Sequence, residues 1–323
     1  MTSPDELHDV DLVTGRNNLR KIWSALRTSD NHHNSPWRID IEHINSGDAP
    51  GLVILERFEP PQTLRYPQSP NGYRQSFQEA TTHRVLDGSD RTPGCNRIIA
   101  YHLGGIKMMV KFDTPAFRPH KPNWTEFESG VTDLFDDKTT DGVSTMDGLD
   151  FDDPVYNGQT IRIRHTTLTP PTQDECLSIK TKHYNDAFDA EYHFPQMYFS
   201  QTPHVIYARH QYGDFKFPIL HYDLFKDQVP ERIEEERQET IDKVAAVLRW
   251  VVGLTREHKR GLGLVWDGKS FSVCEREKGP ELSAPVKEMI MDVRGRDQTQ
   301  CDVGDISVRS QSAVAGPRTW GHL

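Results

Sequence analysis

Two apolar, β-prone runs in the middle of the chain, Arg97–Leu103 and Ile106–Phe112, place the strongest constraint on the fold. Gly104 and Gly105 separate the runs, and glycine accepts the positive φ angles that a two-residue hairpin turn requires. The pattern therefore predicts a β-hairpin. Asp113 follows the second run, where a carboxylate can be held at the edge of a cleft; a solvated aspartate at the end of a core hairpin is the alternative interpretation.

Hydrophobic periodicity indicates further strands and helices. Alternating segments beside turn-forming residues predict two more hairpins, and apolar residues at helical spacing predict two amphipathic helices. The hairpins are Trp37–His43 with Leu52–Phe58 and Leu262–Trp266 with Ser270–Cys274, and the helices are Leu19–Leu26 and Pro230–Gly253. In the longer helix Gly253 is expected at the C-terminal end. The mixture of strands and helices predicts an α+β fold.

Composition separates an ordered part of the chain from two polar segments. We predict a single α+β domain over 1–293, with a solvated, mobile acidic insertion at 126–153, and a disordered tail at 294–323. The insertion is rich in aspartate, and blocks of like charge repel and resist packing. A calcium loop is the rival interpretation of this segment, but its aspartate spacing fails the D-x-[DN]-x-[DN]-G pattern.

The overall charge and the cysteines limit the classes of function. The 323 residues carry a formal net charge of −10 at pH 7, which argues against broad nucleic-acid binding but is compatible with a local basic cleft. The four cysteines form no CxxC pair, which indicates reduced thiols in a nuclear or cytoplasmic protein. Neither a signal peptide nor a membrane-spanning apolar run is present, so no membrane association is expected.

Later segments place three polar residues on predicted elements. In the alternating strand Cys176–Lys182, Ser178 and Lys180 share one face, and Gln201 lies on the next short helix. Each residue also has an ordinary structural interpretation. Lys180 can be an exposed strand lysine, and Gln201 can cap a turn.

A hairpin that ends in an acid, a strand with an alternating lysine and a glutamine on the next helix follow one another along the chain. This order resembles the DXO-type decapping and 5′–3′ exoribonuclease family, in a divergent fungal-type branch. The matching segments are Val13–Arg16, Gly72–Arg74, Phe77–Glu79, Asp113–Pro115, Ser178–Lys180 and Gln201. The resemblance implies a PD-(D/E)xK nuclease-like fold, with a mixed, bent β-sheet flanked by helices.

The resemblance also implies a chemistry, in which carboxylates hold one or two divalent cations and a lysine positions the attacking water. The residues it implies are, as catalytic candidates, Asp113, Lys180, Gln201 and Glu79; as ligands of Mg²⁺ or Mn²⁺, Asp113 and Glu79; and as RNA-binding residues, Arg16 and Arg74. The chain departs from the family pattern where Pro115 and Ser178 stand in place of acids. Any divalent-cation binding is therefore expected to be weak. If Ser178 faces a polar cleft, Ser178→Glu should add a ligand and leave folding nearly unchanged.

Three functions follow as hypotheses. The first is a family member with a degenerate metal site that binds RNA 5′ ends or acts as a regulatory partner of another protein, such as an exoribonuclease. The second is an active metal-dependent decapping nuclease or 5′–3′ exoribonuclease whose missing acids are replaced by Glu79, Glu175 or the acidic insertion. The third is a non-catalytic accessory protein unrelated to RNA.

Overall fold

A computed structural model describes the following parts of the chain: 9–27, 35–46, 49–58, 73–82, 95–114, 116–117, 155–156, 159–160, 172–223, 226–227, 231–258, 261–276, 287–288 and 290–291. Pro115, the acidic segment at 126–153 and the tail at 294–323 lie outside these residues. The predicted domain division at 293 therefore stays a prediction.

Strands and helices both contribute to the described part of the chain. The strands are β1 (Leu12–Gly15), β2 (Trp37–Ser46), β3 (Ala49–Arg57), β4 (Cys95–Leu103), β5 (Ile106–Thr114), β6 (Ala116–Phe117), β7 (Val155–Tyr156), β8 (Gln159–Thr160), β9 (Cys176–His183), β10 (His204–His210), β11 (Leu220–Asp223), β12 (Leu262–Trp266) and β13 (Phe271–Glu275). The helices are α1 (Arg16–Leu26), α2 (Tyr73–Thr81), α3 (Ala190–Phe199) and α4 (Glu231–His258).

Seven strands form a mixed sheet in the order β13-β12-β2-β3-β1-β5-β4. The short strand β1 lies between β3 and β5 and is parallel to both, with Leu12 opposite Val53 on one side and Met108 on the other. The remaining pairs of this sheet are antiparallel. The α+β class and the mixed, bent sheet flanked by helices are confirmed.

A second sheet has the order β11-β10-β9-β6, in which β9 and β10 are parallel. The first sheet's β5 ends at Thr114, and the second sheet's β6 begins at Ala116. Adjacent segments of the chain thus belong to different sheets. This crossing brings the end of β5 close to β9, and it places Asp113 beside the second sheet.

The main core lies between the seven-stranded sheet and the helices. Helix α1 buries Leu19, Ile22 and Trp23, and α4 buries a stripe that includes Val244 and Leu248. Apolar residues at helical spacing pack against the sheet because their burial removes apolar surface from water. The amphipathic pattern read from the sequence therefore gives the correct inner faces of both helices.

The predicted hairpins are confirmed, but the C-terminal end predicted for the long helix is wrong. Gly104 and Gly105 form the β4–β5 turn with φ angles of 57° and 86°. Helix α4 continues past Gly253 to His258. The last turn contains the buried Thr255 and an arginine, Arg256, that bonds to a distant aspartate, and these tertiary contacts extend the helix beyond the glycine.

Candidate functional site

Lys180 lies on β9, on the face that α3 covers. The alternate residues Leu177 and Ile179 do not compete for this face because successive side chains of a strand point to opposite sides, and both pack in a cluster around Phe77. Lys180 is half-buried, and its Nζ donates a hydrogen bond to Oε1 of Gln196 at 2.7 Å. Among the described residues, the hydrogen-bond partner of the Lys180 ammonium group is therefore an amide and not a carboxylate.

The surroundings of Lys180 disfavour its charge. Burial lowers the pKa of Lys180 to about 7, and the positive charges of Arg74, Arg20 and Arg16 contribute to this shift. The carboxylate of Asp113 opposes the shift but does not outweigh it. An ammonium group of this kind gains from any anion that binds beside it.

Arg16 begins α1, directly after β1 in the centre of the sheet. Its guanidinium donates to the backbone carbonyl oxygen of Asp113 at 3.4 Å and lies 5.6 Å from the centroid of the Phe112 ring. Burial, with contributions from Arg20 and Arg74, lowers the pKa of Arg16 to about 10, and the charge of Asp113 opposes this. Arg16 is therefore still protonated at neutral pH.

These side chains form one site, which we call the basic cluster: Arg16 and Arg20 from α1, Arg74 from α2, and Lys180 from β9, with Asp113 from β5. Among the described residues, four basic groups face a single carboxylate, and that carboxylate is exposed. The cluster is suited to bind an anion. The structure thus brings together four of the residues singled out from the sequence, namely Arg16, Arg74, Asp113 and Lys180; their functional roles stay predictions.

The glutamine that contacts Lys180 is Gln196, not Gln201 as expected from the sequence. Gln201 was predicted on a short helix, but α3 ends at Phe199 and Gln201 has a positive φ angle of 49° in the turn that follows. Its Nε2 donates to the Tyr198 carbonyl oxygen at 2.7 Å. Gln196, one helical turn earlier, has the hydrogen bond to Lys180.

Two further residues of the sequence analysis lie in different surroundings from Lys180. Glu79 is exposed on α2 and is not among the described groups that shift the pKa of Lys180. Ser178 shares the face of β9 with Lys180, as predicted, but it is only 4% exposed. The premise that Ser178 faces an open polar cleft is therefore wrong, because its side chain is buried in the described structure, and a carboxylate introduced there would not be solvated.

Arg20 and Gln196 were not among the residues predicted from the sequence. Arg20 follows Arg16 by four residues, so the two lie on one face of α1, and this spacing was a usable signal. Gln196 could not be chosen over Gln201 from sequence, since the choice depends on where α3 ends.

A divalent cation requires several oxygen ligands, and the described residues do not supply them. No group of three or more His, Cys, Asp or Glu side chains in the described part of the chain is placed to hold a metal ion. In the basic cluster, Asp113 would be a single ligand surrounded by four basic groups, which repel a cation. The described donors therefore do not fit a tight Mg²⁺ or Mn²⁺ site.

Comparison with solved structures agrees with the resemblance at the level of the fold. The crystal structure of Scheffersomyces stipitis Rai1 is similar with a TM-score of 0.52 at 12% identity, covering 88% of this chain and 75% of that chain. The S. pombe Rai1 structure gives a TM-score of 0.50 at 12% identity, covering 83% and 72%. The fold is thus that of the DXO-type decapping nucleases.

The sequence itself matches a family model over residues 1–265, and the chain belongs to that family, which is described as Domain of unknown function (DUF8563). No curated protein matches the sequence. Among the described helices, none is both long and apolar enough to cross a membrane.

Proposed function

We propose that this protein binds the 5′ end of RNA through the basic cluster, as a divergent decapping-family protein with a degenerate metal site. The observation that supports the proposal most strongly is the composition of the cluster. Three arginine side chains surround Lys180, and Asp113 is the one carboxylate among the described residues that opposes their effect on its pKa. Such a site attracts a terminal phosphate without a bridging cation.

The amide partner of Lys180 supports the same proposal. A carboxylate hydrogen-bonded to the ammonium group would neutralise it, whereas Gln196 orients the lysine and leaves its positive charge uncompensated. The guanidinium groups of Arg16, Arg20 and Arg74 offer further donors in the geometry that phosphate oxygens accept. Among the similar structures, one of Scheffersomyces stipitis Rai1 holds (3'-NADP)+ and a calcium ion, so the same fold accommodates a phosphorylated nucleotide there.

Binding of 3′-labelled RNA oligonucleotides, measured by fluorescence anisotropy with a chelator present, tests the proposal. We expect 5′-monophosphorylated RNA to bind about tenfold or more tightly than 5′-hydroxyl RNA, since charged hydrogen bonds contribute about 1.5–3 kcal/mol each. Arg74→Ala should remove most of this preference. Arg232→Ala on α4, whose side chain is 82% exposed, is the matched control and should keep it.

Two results would contradict the proposal. Equal affinity for the two RNAs would mean that the cluster does not recognise the 5′ phosphate. Robust Mg²⁺- or Mn²⁺-dependent RNA hydrolysis that is lost in Asp113→Ala would instead support the active nuclease.

A further inference from the structure

A cavity of about 570 Å³ lies next to the basic cluster, at the end of β9 and the start of α3. Its size is in the range of small-molecule sites in proteins. The side chains that matter for its chemistry are those of Lys182, Asn185, Asp186, Tyr192, His193 and Tyr207. The function proposed above does not use this cavity.

His193 is the feature of the cavity that points to a ligand. The residue is 6% exposed, and its Nδ1 has no hydrogen-bond partner among the described residues. One ring face stacks on Phe188, with centroids 5.3 Å apart and planes at 17°. A buried imidazole nitrogen without a partner costs free energy, and a ligand that hydrogen-bonds to it removes that cost.

The imidazole is neutral, which determines what it can bind. Burial lowers the pKa of His193 to about 3, and the positive charges of Lys180 and Arg20 act in the same direction. A neutral imidazole offers one donor and one acceptor and no charge. It therefore suits the hydroxyl, amide or amino group of a ligand rather than a phosphate.

The spacing of the residues connects the cavity to the basic cluster. Lys180 and Lys182 are two residues apart on β9 and so lie on the same face, about 7 Å apart. His193 and Gln196 are three residues apart on α3, and neighbours at that spacing are about 5–6 Å apart. Because Gln196 accepts the hydrogen bond from Lys180, His193 lies about one helical turn, roughly 5–6 Å along α3, from the residue that Lys180 contacts, a span that one nucleotide can bridge.

The lining of the cavity also complements a nucleoside. Asn185 and Asp186 offer acceptors for the ribose hydroxyls and the base amino groups, and the exposed ring of Tyr192 offers aromatic surface for a base. Tyr207 is buried, and its hydroxyl donates to the Asp186 carbonyl oxygen at 2.8 Å, which fixes the backbone of the cavity wall.

From these observations we infer that the cavity binds the nucleoside of a 5′-nucleotide whose phosphate is bound by the basic cluster. This inference rests on the proposed function and specifies its ligand class: a nucleoside 5′-phosphate, free or at the end of an RNA. The protein would then recognise the nucleoside of the first nucleotide through the cavity and its phosphate through the basic cluster.

Isothermal titration calorimetry on the full chain with inorganic phosphate, ribose 5-phosphate and 5′-GMP tests the inference. We expect 5′-GMP to bind about tenfold or more tightly than ribose 5-phosphate, because a buried hydrogen bond and a stacked base together contribute about 1.5 kcal/mol or more. His193→Phe should reduce the affinity for 5′-GMP to that for ribose 5-phosphate and leave that for inorganic phosphate unchanged. His102→Phe, exposed on β4, is the matched control.

Tyr192→Ala provides a second variant, since Tyr192 is 48% exposed and its loss does not open the core. If His193→Phe does not fold, a loss of affinity for 5′-GMP in Tyr192→Ala supports the inference, and unchanged affinity overturns it. If phosphate binds but 5′-GMP binds no better than ribose 5-phosphate, the cavity is not a nucleoside site. If none of the three ligands binds, the proposed function fails as well.

Discussion

Lys180 is a cation in a place where burial and three arginine side chains all disfavour its charge. The charge of such a group reduces the stability of the folded protein, and this cost is greatest at pH values below the pKa of the group in the folded state. Its presence is explained if a bound anion compensates for the cost.

The stability of a Lys180→Met variant tests this interpretation. The unfolded chain binds the Lys180 proton up to about pH 10.5 and the folded chain only to about 7, so the cost is greatest below pH 7 and is relieved as the pH rises between these values. We expect the variant to be more stable than the wild type by on the order of 1 kcal/mol near pH 6. The gain should shrink toward about pH 9. Urea unfolding at both pH values measures it, with Lys243→Met on α4 as the control.

Phosphate binding should depend on pH for the same reason. A bound phosphate stabilises the charged form of Lys180, so the affinity should fall as the pH rises above about 7, where the free lysine loses its proton. Below about pH 6 the phosphate monoester itself becomes protonated, so the affinity should be highest between these values. The limb above pH 7 should be absent in Lys180→Arg, whose guanidinium remains charged. Calorimetry with ribose 5-phosphate, a phosphate monoester, would contradict the assignment if wild type and Lys180→Arg had the same pH profile.

The burial of Ser178 changes the effect on stability that the sequence predicted for Ser178→Glu. Ser178→Glu would place a carboxylate at a position that is 4% exposed, so we expect a loss of about 1–3 kcal/mol in the free energy of unfolding without metal. Ser178→Gln has nearly the same shape without the charge and is the control. If Mn²⁺ restores stability to the glutamate variant and not to the glutamine variant, the position is a metal-ligand position; if it restores neither, the motif correspondence at Ser178 is wrong.

The strand and helix assignments show what local sequence signals can and cannot determine. The hairpin turn at Gly104-Gly105 was predictable because both residues need positive φ angles, which few residues other than glycine adopt. The end of α4 was not predictable, because Arg256, beyond Gly253, contacts Asp11 just before β1 and Gly51 in β3. The short strand β1 had no period to detect, since only four residues take part.

The packing of α3 against α4 depends on a buried ion pair. Arg237 on α4 bonds to Glu191 on α3, and its guanidinium lies 4.0 Å from the centroid of the Phe194 ring. The arginine side chain is 8% exposed. Because α3 also carries Gln196, this contact positions the partner of Lys180.

Arg237→Met should therefore affect both stability and binding. Removing one partner of a buried pair leaves an uncompensated charge, and we expect a loss of about 3 kcal/mol in the free energy of unfolding. The affinity for phosphate should decrease as well, since α3 is no longer fixed. Arg232→Met, at the exposed start of the same helix, should have neither effect. A stable Arg237→Met with reduced affinity would separate the positioning role from the structural one.

At the scale of the whole molecule, a basic cluster lies on a chain with a net charge of −10. A net negative charge opposes extended contact with the body of an RNA, so the site should recognise the terminus alone.

RNA length and salt test this arrangement. We expect 5′-phosphorylated oligonucleotides of increasing length to bind with nearly equal affinity, because only the first nucleotide makes favourable contacts. The slope of log K against log salt should be about −3 or smaller in magnitude, given four basic groups and about −0.7 per neutralised phosphate charge on single strands. Anisotropy titrations at several salt concentrations measure both quantities. A steep slope that grows with RNA length would show that a wider surface binds the RNA.

The position of β1 between β3 and β5 also governs how the protein is made. On the ribosome, residues 12–15 are synthesised before either neighbouring strand. Asp11 cannot bond to Arg256 until the chain has grown by a further 245 residues. The hairpins can form as they emerge, but the central sheet cannot close until translation has delivered β5. Contacts between distant parts of a sequence slow folding and leave strand edges exposed in the meantime. We therefore expect nascent chains that end before β5 to depend on chaperones, and the whole sheet to assemble late in synthesis.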